Sequence, residues 1–160
     1  MGEPEGEVEQ VDLYYQHPCR DFGETDEALR LRRAGDRTVL TYKGPRVGEE
    51  KSREEVEVEV EDFGAMDKIL RKLGFEPLER VKVKKRREVY RVKFAGREVE
   101  VTLDEVEGLG TFLELECSVK DRSEIERAEK DLRRLAEELG AEGERIRKSY
   151  LEMLMERAGE

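Results

Sequence analysis

Histidine, cysteine and tryptophan are nearly missing from this 160-residue chain, and long apolar runs are missing altogether. His17 is the only histidine, which argues against metal sites built from several histidines and against serine–histidine–aspartate triads. Cys19 and Cys117 lie far apart without Cys-x-x-Cys spacing, so the sequence predicts two reduced thiols in a cytoplasmic protein rather than a disulfide framework or a zinc site. No apolar run reaches membrane length and no signal peptide is recognisable, so we expect no membrane partner.

Charged residues are what the chain has in excess. They make up 45% of the sequence, and 41 acidic against 31 basic residues give a formal net charge of −10. This balance argues against nonspecific nucleic-acid binding, which needs a basic surface, but it is compatible with a local basic pocket. The apolar residues recur with a clear period, which is typical of a folded chain, and the length predicts one domain over residues 1–160 with residues 1–6 disordered.

Alternation of apolar and charged residues predicts a series of β-strands. The predicted strands cover residues 7–15, 28–33, 38–43, 53–61, 78–87, 88–95 and 98–104, and an eighth follows the glycine-rich turn at 108–110 and ends at Glu116. Helical spacing predicts a helix around residues 66–73, a second from a Ser123–Glu126 capping box to Gly140, and a short last helix from Ile146 to Leu154. Because runs of strands are twice closed by a helix that ends in Leu-Gly, we predict an α+β fold, a closed antiparallel β-barrel with helices packed outside.

Three carboxylates of the last predicted hairpin fall on one face. Asp104 precedes the turn, and Glu114 and Glu116 follow it at alternate positions. Converging carboxylates repel one another, and a hard divalent cation such as Mg²⁺ or Mn²⁺ would relieve the repulsion. For this hairpin alone, the pattern favours a solvated face.

Almost every predicted strand has one apolar and one charged face. If the apolar faces pack against helices, the charged faces line a lumen. Cations and carboxylates mixed in this way suit a polyanion that is carried with metal ions, and plain solvated faces are the alternative. The lumen would hold Arg30, Arg32, Lys43, Arg53 and Arg87 together with Glu55, Glu57, Asp104, Glu114 and Glu116.

A series of short motifs, in order, resembles the CYTH superfamily of triphosphate tunnel metalloenzymes, and most closely its class IV adenylyl cyclase-like branch. The motifs are E-Q-V-D-L-Y-Y at 9–15, H-P-C-R-D-F at 17–22, L-R-L-R at 29–32, T-Y-K-G at 41–44, R-E-E-V-E-V-E-V at 53–60, K-K-R-R-E-V-Y at 84–90, L-D-E-V-E-G-L-G-T-F-L-E-L-E at 103–116 and S-Y-L-E at 149–152. The resemblance implies an eight-stranded antiparallel tunnel that binds a nucleoside triphosphate or inorganic triphosphate with Mg²⁺ or Mn²⁺.

The resemblance also implies roles for individual residues. Glu55 and Glu57 match the acidic middle strand of the family, and Lys85 and Arg87 need a local bend because they share a strand face with valines. The implied triphosphate-binding residues are Arg30, Arg32, Lys43, Arg53, Lys85 and Arg87, and the implied metal ligands are Asp104, Glu114 and Glu116.

The first-strand motif of the family, Glu-x-Glu-x-Lys, is not found here. Glu5, Glu7 and Glu9 alternate, but no lysine follows. Either the natural start lies upstream or this member lacks the motif, and an absent strand would leave a seam that favours pairing with a second copy, a homodimer. Whether the chain is an enzyme therefore stays open among three functions: an adenylyl cyclase, which the His17–Phe22 motif favours, a triphosphatase, or a nucleotide- or polyphosphate-binding protein without catalysis.

Overall fold

The computed structural model describes residues 5–48, 52–141 and 149–158. The strands are β1 (Gly6–Gln16), β2 (Ala28–Ala34), β3 (Arg37–Lys43), β4 (Glu55–Val60), β5 (Glu76–Pro77), β6 (Val83–Phe94), β7 (Arg97–Val106) and β8 (Gly110–Glu116). The helices are α1 (Phe22–Thr25), α2 (Phe63–Lys72), α3 (Ile125–Glu138) and α4 (Tyr150–Ala158). No helix in these ranges is long and apolar enough to cross a membrane.

All eight strands belong to one antiparallel sheet in the order β4-β3-β2-β1-β6-β7-β8, with the two-residue β5 paired to β1. The α+β class and the antiparallel, barrel-like architecture with helices outside are confirmed. The predicted closure of the barrel is wrong for the described part of the chain, where β4 and β8 each have one strand neighbour and remain free edges. The sheet is therefore an open, barrel-like tunnel.

The apolar faces of β1, β2 and β7 point outward, where helices cover them. Leu13, Tyr15 and Leu31 of β1 and β2 form one buried cluster with Leu70 of α2. Val99 and Val101 of β7 form another with Leu135 of α3. Because side chains alternate along a strand, burying this face under helices turns the charged face inward.

A third apolar cluster lies at one end of the sheet, where α4 packs. Tyr150 of α4 is buried against Tyr14, Val83 and Val106. Phe112 of β8 packs beside Tyr150, with 5.2 Å between the ring centroids. Helix α4 therefore covers the end of the tunnel next to the β7–β8 turn.

Several local predictions need correction. Residues 78–87 and 88–95 are not two strands, because β6 runs unbroken from Val83 after a 3₁₀ turn at Glu79–Val81. Lys85 and Arg87 therefore share the inner face with Val83 without any bend. The capping box also fails: the carboxylate of Asp121 accepts a hydrogen bond from the Ser123 backbone, and α3 begins with no side-chain cap.

The remaining differences lie in loops and at the ends of elements. The segment between the first two predicted strands contains α1, and Gly6, expected to be disordered, begins β1. Residues 1–4 of the predicted disordered segment and Ile146 of the predicted last helix lie outside the described residues.

Shortening a buried valine on the outward face should destabilise the protein far more than shortening an exposed one. Val101 is fully buried under α3, whereas Val58 on β4 is 56% exposed. Val101→Ala should lower the free energy of unfolding by about 2 kcal/mol, because it removes buried methyl groups and leaves a cavity. Val58→Ala is the matched control and should change it little. Urea unfolding measures both, and equal losses would contradict the assigned facing of the sheet.

Candidate functional site

Five cations from three strands, β2, β3 and β6, meet on the concave inner face of the sheet. Arg30, Lys85 and Arg87 are each more than nine-tenths buried. The positive charges lie close enough to repel one another: Arg30 and Arg32 repel Lys43, and Arg32 and Arg87 repel Lys85. The five side chains therefore form one cluster. We call this cluster the basic floor; it consists of Arg30, Arg32, Lys43, Lys85 and Arg87.

Asp12 of β1 is the central counter-ion of the basic floor. Its carboxylate is fully buried and accepts two hydrogen bonds from Arg32, at 2.7 and 2.9 Å, while Lys85 Nζ lies 3.4 Å away. Burial alone would raise the pKa of Asp12, but the hydrogen bond from Arg32 and the charges of Lys85 and Arg30 hold that pKa well below its usual range. Asp12 therefore remains a carboxylate and stabilises the buried cations.

Sequence reasoning did not select Asp12 as a site residue, although a signal for it existed. Gln10, Asp12 and Tyr14 alternate with Val11, Leu13 and Tyr15 in β1, and Leu13 and Tyr15 pack outward against α2. A charged residue at the centre of the opposite set therefore had to face the inside.

Asp104 and Arg87 form a second buried ion pair. Arg87 donates to both oxygens of Asp104, at 2.7 and 2.6 Å, and the Tyr150 hydroxyl donates to Oδ2 at 2.9 Å. Burial raises the pKa of Asp104, but these bonds and the charge of Lys85 lower it overall. Both oxygens of this predicted metal ligand are thus occupied by protein donors.

Lys85 is a cation of the floor whose positive charge is weakly stabilised. Burial disfavours its ammonium form and the charges of Arg32 and Arg87 repel it, so its pKa falls to about 7 although Asp12 and Asp104 attract it. The Tyr150 ring lies 5.0 Å from its Nζ. At neutral pH, Lys85 can therefore take up a proton when an anion arrives.

The remaining predicted carboxylates lie on the two free edges of the sheet, closer to solvent. Glu55 is 3.4 Å from Lys43, Glu57 is 3.9 Å from Arg30, and Glu114 is 3.5 Å from Arg87. Glu116 lies within electrostatic range of Glu55 and Glu114, although they belong to opposite edges. We call this set the acidic rim; it consists of Glu55, Glu57, Glu114 and Glu116.

The acidic rim has an excess of negative charge around Glu116. Partial burial and the neighbouring Glu114, Glu55 and Glu100 raise the pKa of Glu116, while Lys43 opposes them. Glu100 of β7 is directly opposite Glu116 in the strand register and was also missed, although it alternates with Asp104 on the predicted polar face. A divalent cation would relieve this repulsion.

The metal prediction can be compared with this geometry. Within the described ranges, no three Asp, Glu, His or Cys side chains are already arranged to hold a metal ion. Glu114 and Glu116 fit a hard cation by their oxygen donors and their mutual repulsion. Asp104 does not fit in its present contacts, because Arg87 and Tyr150 bind its oxygens.

Arg53 is the one predicted cation that the structure places apart from the floor. It precedes β4 and donates to the carbonyl oxygens of Gly44 at 2.7 Å and Asp26 at 2.8 Å. Its guanidinium therefore fastens the β3–β4 connection to the loop before β2.

The inner face also has hydrogen-bonding groups that the described residues do not satisfy. Arg30 Nε, Gln10 Oε1 and Thr102 Oγ1 are buried, and in the described part of the chain none of them has a hydrogen-bond partner. Unpaired buried polar atoms are costly, and a bound polar ligand can satisfy them. Cations, spare donors and an acidic rim together can bind an extended polyanion and its metal counter-ions.

Neutralising Glu116 should stabilise the metal-free protein at pH 7. A carboxyl whose folded pKa is raised contributes stability at low pH and loses it as the pH rises through that pKa. In EDTA at pH 7, Glu116→Gln should raise Tm by about 1–2 °C, a small change because solvent screens the charges of the rim. At pH 4, the same substitution should leave Tm unchanged, because the native Glu116 is then largely protonated. The control is Glu59→Gln on β4, where Arg37 lowers the pKa of the native carboxyl, so no gain is expected. A lower Tm for Glu116→Gln at pH 7 would contradict the proposed repulsion.

Comparison with known proteins agrees with the geometry of this tunnel. The CYTH domain family matches residues 2–150. A Methanocaldococcus jannaschii protein, provisionally named an adenylate cyclase, is 42% identical over 146 residues, which cover 90% of this chain and 80% of that protein. A solved Pyrococcus horikoshii protein, PH1819, is 47% identical with a TM-score of 0.85, covering 94% of this chain and 85% of that one.

A more distant structure shares the fold. A Hippeastrum protein, provisionally named an adenylyl cyclase and described as having a dominant triphosphatase activity, aligns with a TM-score of 0.65 at 22% identity, over 98% of this chain and 85% of its own. With the family match extending over nearly the whole sequence, the open antiparallel tunnel and its charged inner face are those of a CYTH protein: this chain belongs to the CYTH domain family.

Proposed function

We propose that the concave face binds a triphosphate together with Mg²⁺ or Mn²⁺, and that the chain acts as a class IV adenylyl cyclase, converting ATP to cyclic AMP and pyrophosphate. The observation that carries the proposal is the basic floor. Five cations on three strands, of which Arg30, Lys85 and Arg87 are buried, lie near the buried carboxylates Asp12 and Asp104, and Arg30 Nε has no hydrogen-bond partner among the described residues. Buried cations in this density are expensive without an anion, and a triphosphate supplies several.

The phosphate chain is assigned to the floor. Arg30, Arg32 and Arg87 present planar guanidinium groups that can bind two phosphate oxygens each, and Lys43 and Lys85 act as point charges. Two of the arginines are already fixed by carboxylates, Arg32 by Asp12 and Arg87 by Asp104, so they lose little freedom when a phosphate arrives. Arg53 stays a prediction from the family resemblance, since its donors hold backbone carbonyls.

Glu114 and Glu116 are the residues that would hold the metal, with Glu55 and Glu57 facing them from the other edge. When bound, the metal would lower the pKa of the attacking hydroxyl or water and neutralise phosphate charge. In the cyclase reaction, the ribose 3′-hydroxyl loses its proton to solvent, its oxygen forms a bond to the α-phosphorus, and the bond from that phosphorus to the bridging oxygen of the β-phosphate breaks. The floor cations then stabilise the departing pyrophosphate.

Two other functions remain candidates, each favoured by one observation. A solved Hippeastrum protein of this fold is described as having a dominant triphosphatase activity, which favours a triphosphatase. The lack of a ready three-ligand metal group in the described residues favours a protein that binds the triphosphate without processing it. The floor serves all three functions equally, so only products separate them.

A product assay tests the proposal. The purified chain is incubated with ATP, or with inorganic triphosphate, in Mg²⁺ or Mn²⁺, and the products are resolved by chromatography. Cyclic AMP and pyrophosphate are the expected products, and EDTA should abolish them. Orthophosphate would instead assign a triphosphatase. Triphosphate binding without turnover would leave a binding protein.

Matched variants sharpen this assay. Glu114→Gln and Glu116→Gln should each lower turnover by about 100-fold or more, because each removes a charge expected at the metal. Glu59→Gln, on the same sheet but paired with the exposed Arg37, should keep wild-type turnover. Equal activity of all three variants would remove the acidic rim from the reaction.

The affinity for triphosphate should depend on the protonation of Lys85. Above about pH 7, Lys85 of the free protein loses its proton, and binding of the triphosphate must restore it. The Kd of the wild type should therefore rise with pH, by up to about tenfold per pH unit, relative to the Kd of a variant that is always charged at position 85. Lys85→Arg provides that variant. Calorimetry with inorganic triphosphate from pH 6 to 9 gives the Kd of the wild type and of Lys85→Arg at each pH. Protonation of the triphosphate itself affects both Kd values equally, so it does not affect their ratio. A ratio independent of pH would contradict the role of Lys85.

A further inference from the structure

Helix α4 places one tyrosine hydroxyl on the inner face of the tunnel. Tyr150 is its first residue and is 9% exposed, and its hydroxyl donates to Asp104 Oδ2 at 2.9 Å. The ring packs against Phe112 and lies under the ammonium group of Lys85. A surface helix thus reaches two members of the basic floor through one side chain, Lys85 directly and Arg87 through Asp104.

The contacts of Asp104 determine what this hydroxyl does. Asp104 is fully buried, and both of its oxygens accept hydrogen bonds from Arg87. The Tyr150 hydroxyl is a third donor and approaches Oδ2 from α4. A carboxylate held by three hydrogen bonds from two directions has little freedom to rotate towards a metal on the rim, and it fixes the plane of the Arg87 guanidinium.

The hydroxyl can act as a donor at any ordinary pH. Burial and the carboxylates Glu114 and Asp104 raise the pKa of Tyr150. Its proton therefore stays in place for the bond to Asp104 while Lys85 changes protonation beside the ring.

We propose that Tyr150 is a positioning residue of the tunnel, whose hydroxyl holds Asp104 as the counter-ion of Arg87 so that Arg87 faces the phosphate chain, and that Asp104 serves this purpose rather than metal binding. The proposal rests on the proposed function, in that the anion gripped by Arg87 is a triphosphate. It gives the Ser149–Glu152 motif a role, as the attachment point of α4 to the phosphate-binding cations.

The first test removes only the hydroxyl. Tyr150→Phe keeps the ring, its packing on Phe112 and its contact with Lys85. It should raise the Kd for inorganic triphosphate, measured by calorimetry in EDTA, by roughly threefold to tenfold, because Arg87 is no longer held in place. The matched control is Tyr15→Phe, which loses a similar bond to Asp67 of 2.6 Å on the outer face of the sheet. The control should bind like the wild type at a similar Tm, so that general destabilisation cannot account for the difference.

The second test separates positioning from metal binding. The affinity for Mn²⁺ alone, measured by electron paramagnetic resonance, should fall about tenfold or more in Glu116→Gln and stay within about twofold of wild type in Asp104→Asn. In the same Asp104→Asn protein the Kd for triphosphate should rise. Circular dichroism and thermal unfolding establish that the variants are folded, and the Mn²⁺ result stands on its own if Tyr150→Phe fails to fold.

The outcomes separate this inference from the proposed function. If the wild type binds no triphosphate, the proposed function falls, and the inference with it. If the wild type binds and Tyr150→Phe binds equally well, only the positioning role is overturned. If Asp104→Asn loses Mn²⁺ affinity as Glu116→Gln does, Asp104 is a metal ligand and the second half of the inference is overturned.

Discussion

Buried charge must be compensated, and the arrangement of this protein follows from that constraint. Unpaired, the guanidinium and ammonium groups of the basic floor would each be strongly destabilising. Asp12 and Asp104 compensate them in part, Asp12 for Arg32 and Lys85, and Asp104 for Arg87. The compensation is incomplete: the pKa of Lys85 falls, and Arg30 Nε has no partner among the described residues. This remaining demand for negative charge is what a triphosphate is suited to satisfy.

The outward face of the sheet makes this interior possible. Helices α2 and α3 bury the apolar residues of the central strands and of β7, so the core of the protein lies outside the tunnel rather than within it. The charge on the inner face therefore changes from positive at the centre of the sheet, where the cations are buried, to negative at its free edges, where the carboxylates are nearer to solvent. An anion and its metal ions can be accommodated along this gradient, with the phosphates deep and the metals near the rim.

The sequence was sufficient for the fold class, the facing of the strands and most of the inner-face residues, because a period of two in charge and hydrophobicity determines which side chains point together. It could not give the pairing between distant strands. The Lys85–Asp12 pair is separated by 73 positions and the Tyr150–Asp104 pair by 46, and no local pattern connects them. For the same reason Asp104 looked like a third rim carboxylate, although it is buried beside Arg87. The unbroken β6 and the open edges at β4 and β8 depend on strand pairing as well.

We expect the arginines of the floor, and not the exposed arginines of the surface, to bind the triphosphate. Nitrogen–proton correlation spectra of the arginine Nε–Hε groups during a titration with inorganic triphosphate test it directly. The signals of Arg30, Arg32 and Arg87 should shift together and saturate at one equivalent, while those of the exposed Arg37 and Arg71 should stay in place. Shifts confined to the exposed arginines, with the three floor signals unchanged, would contradict it.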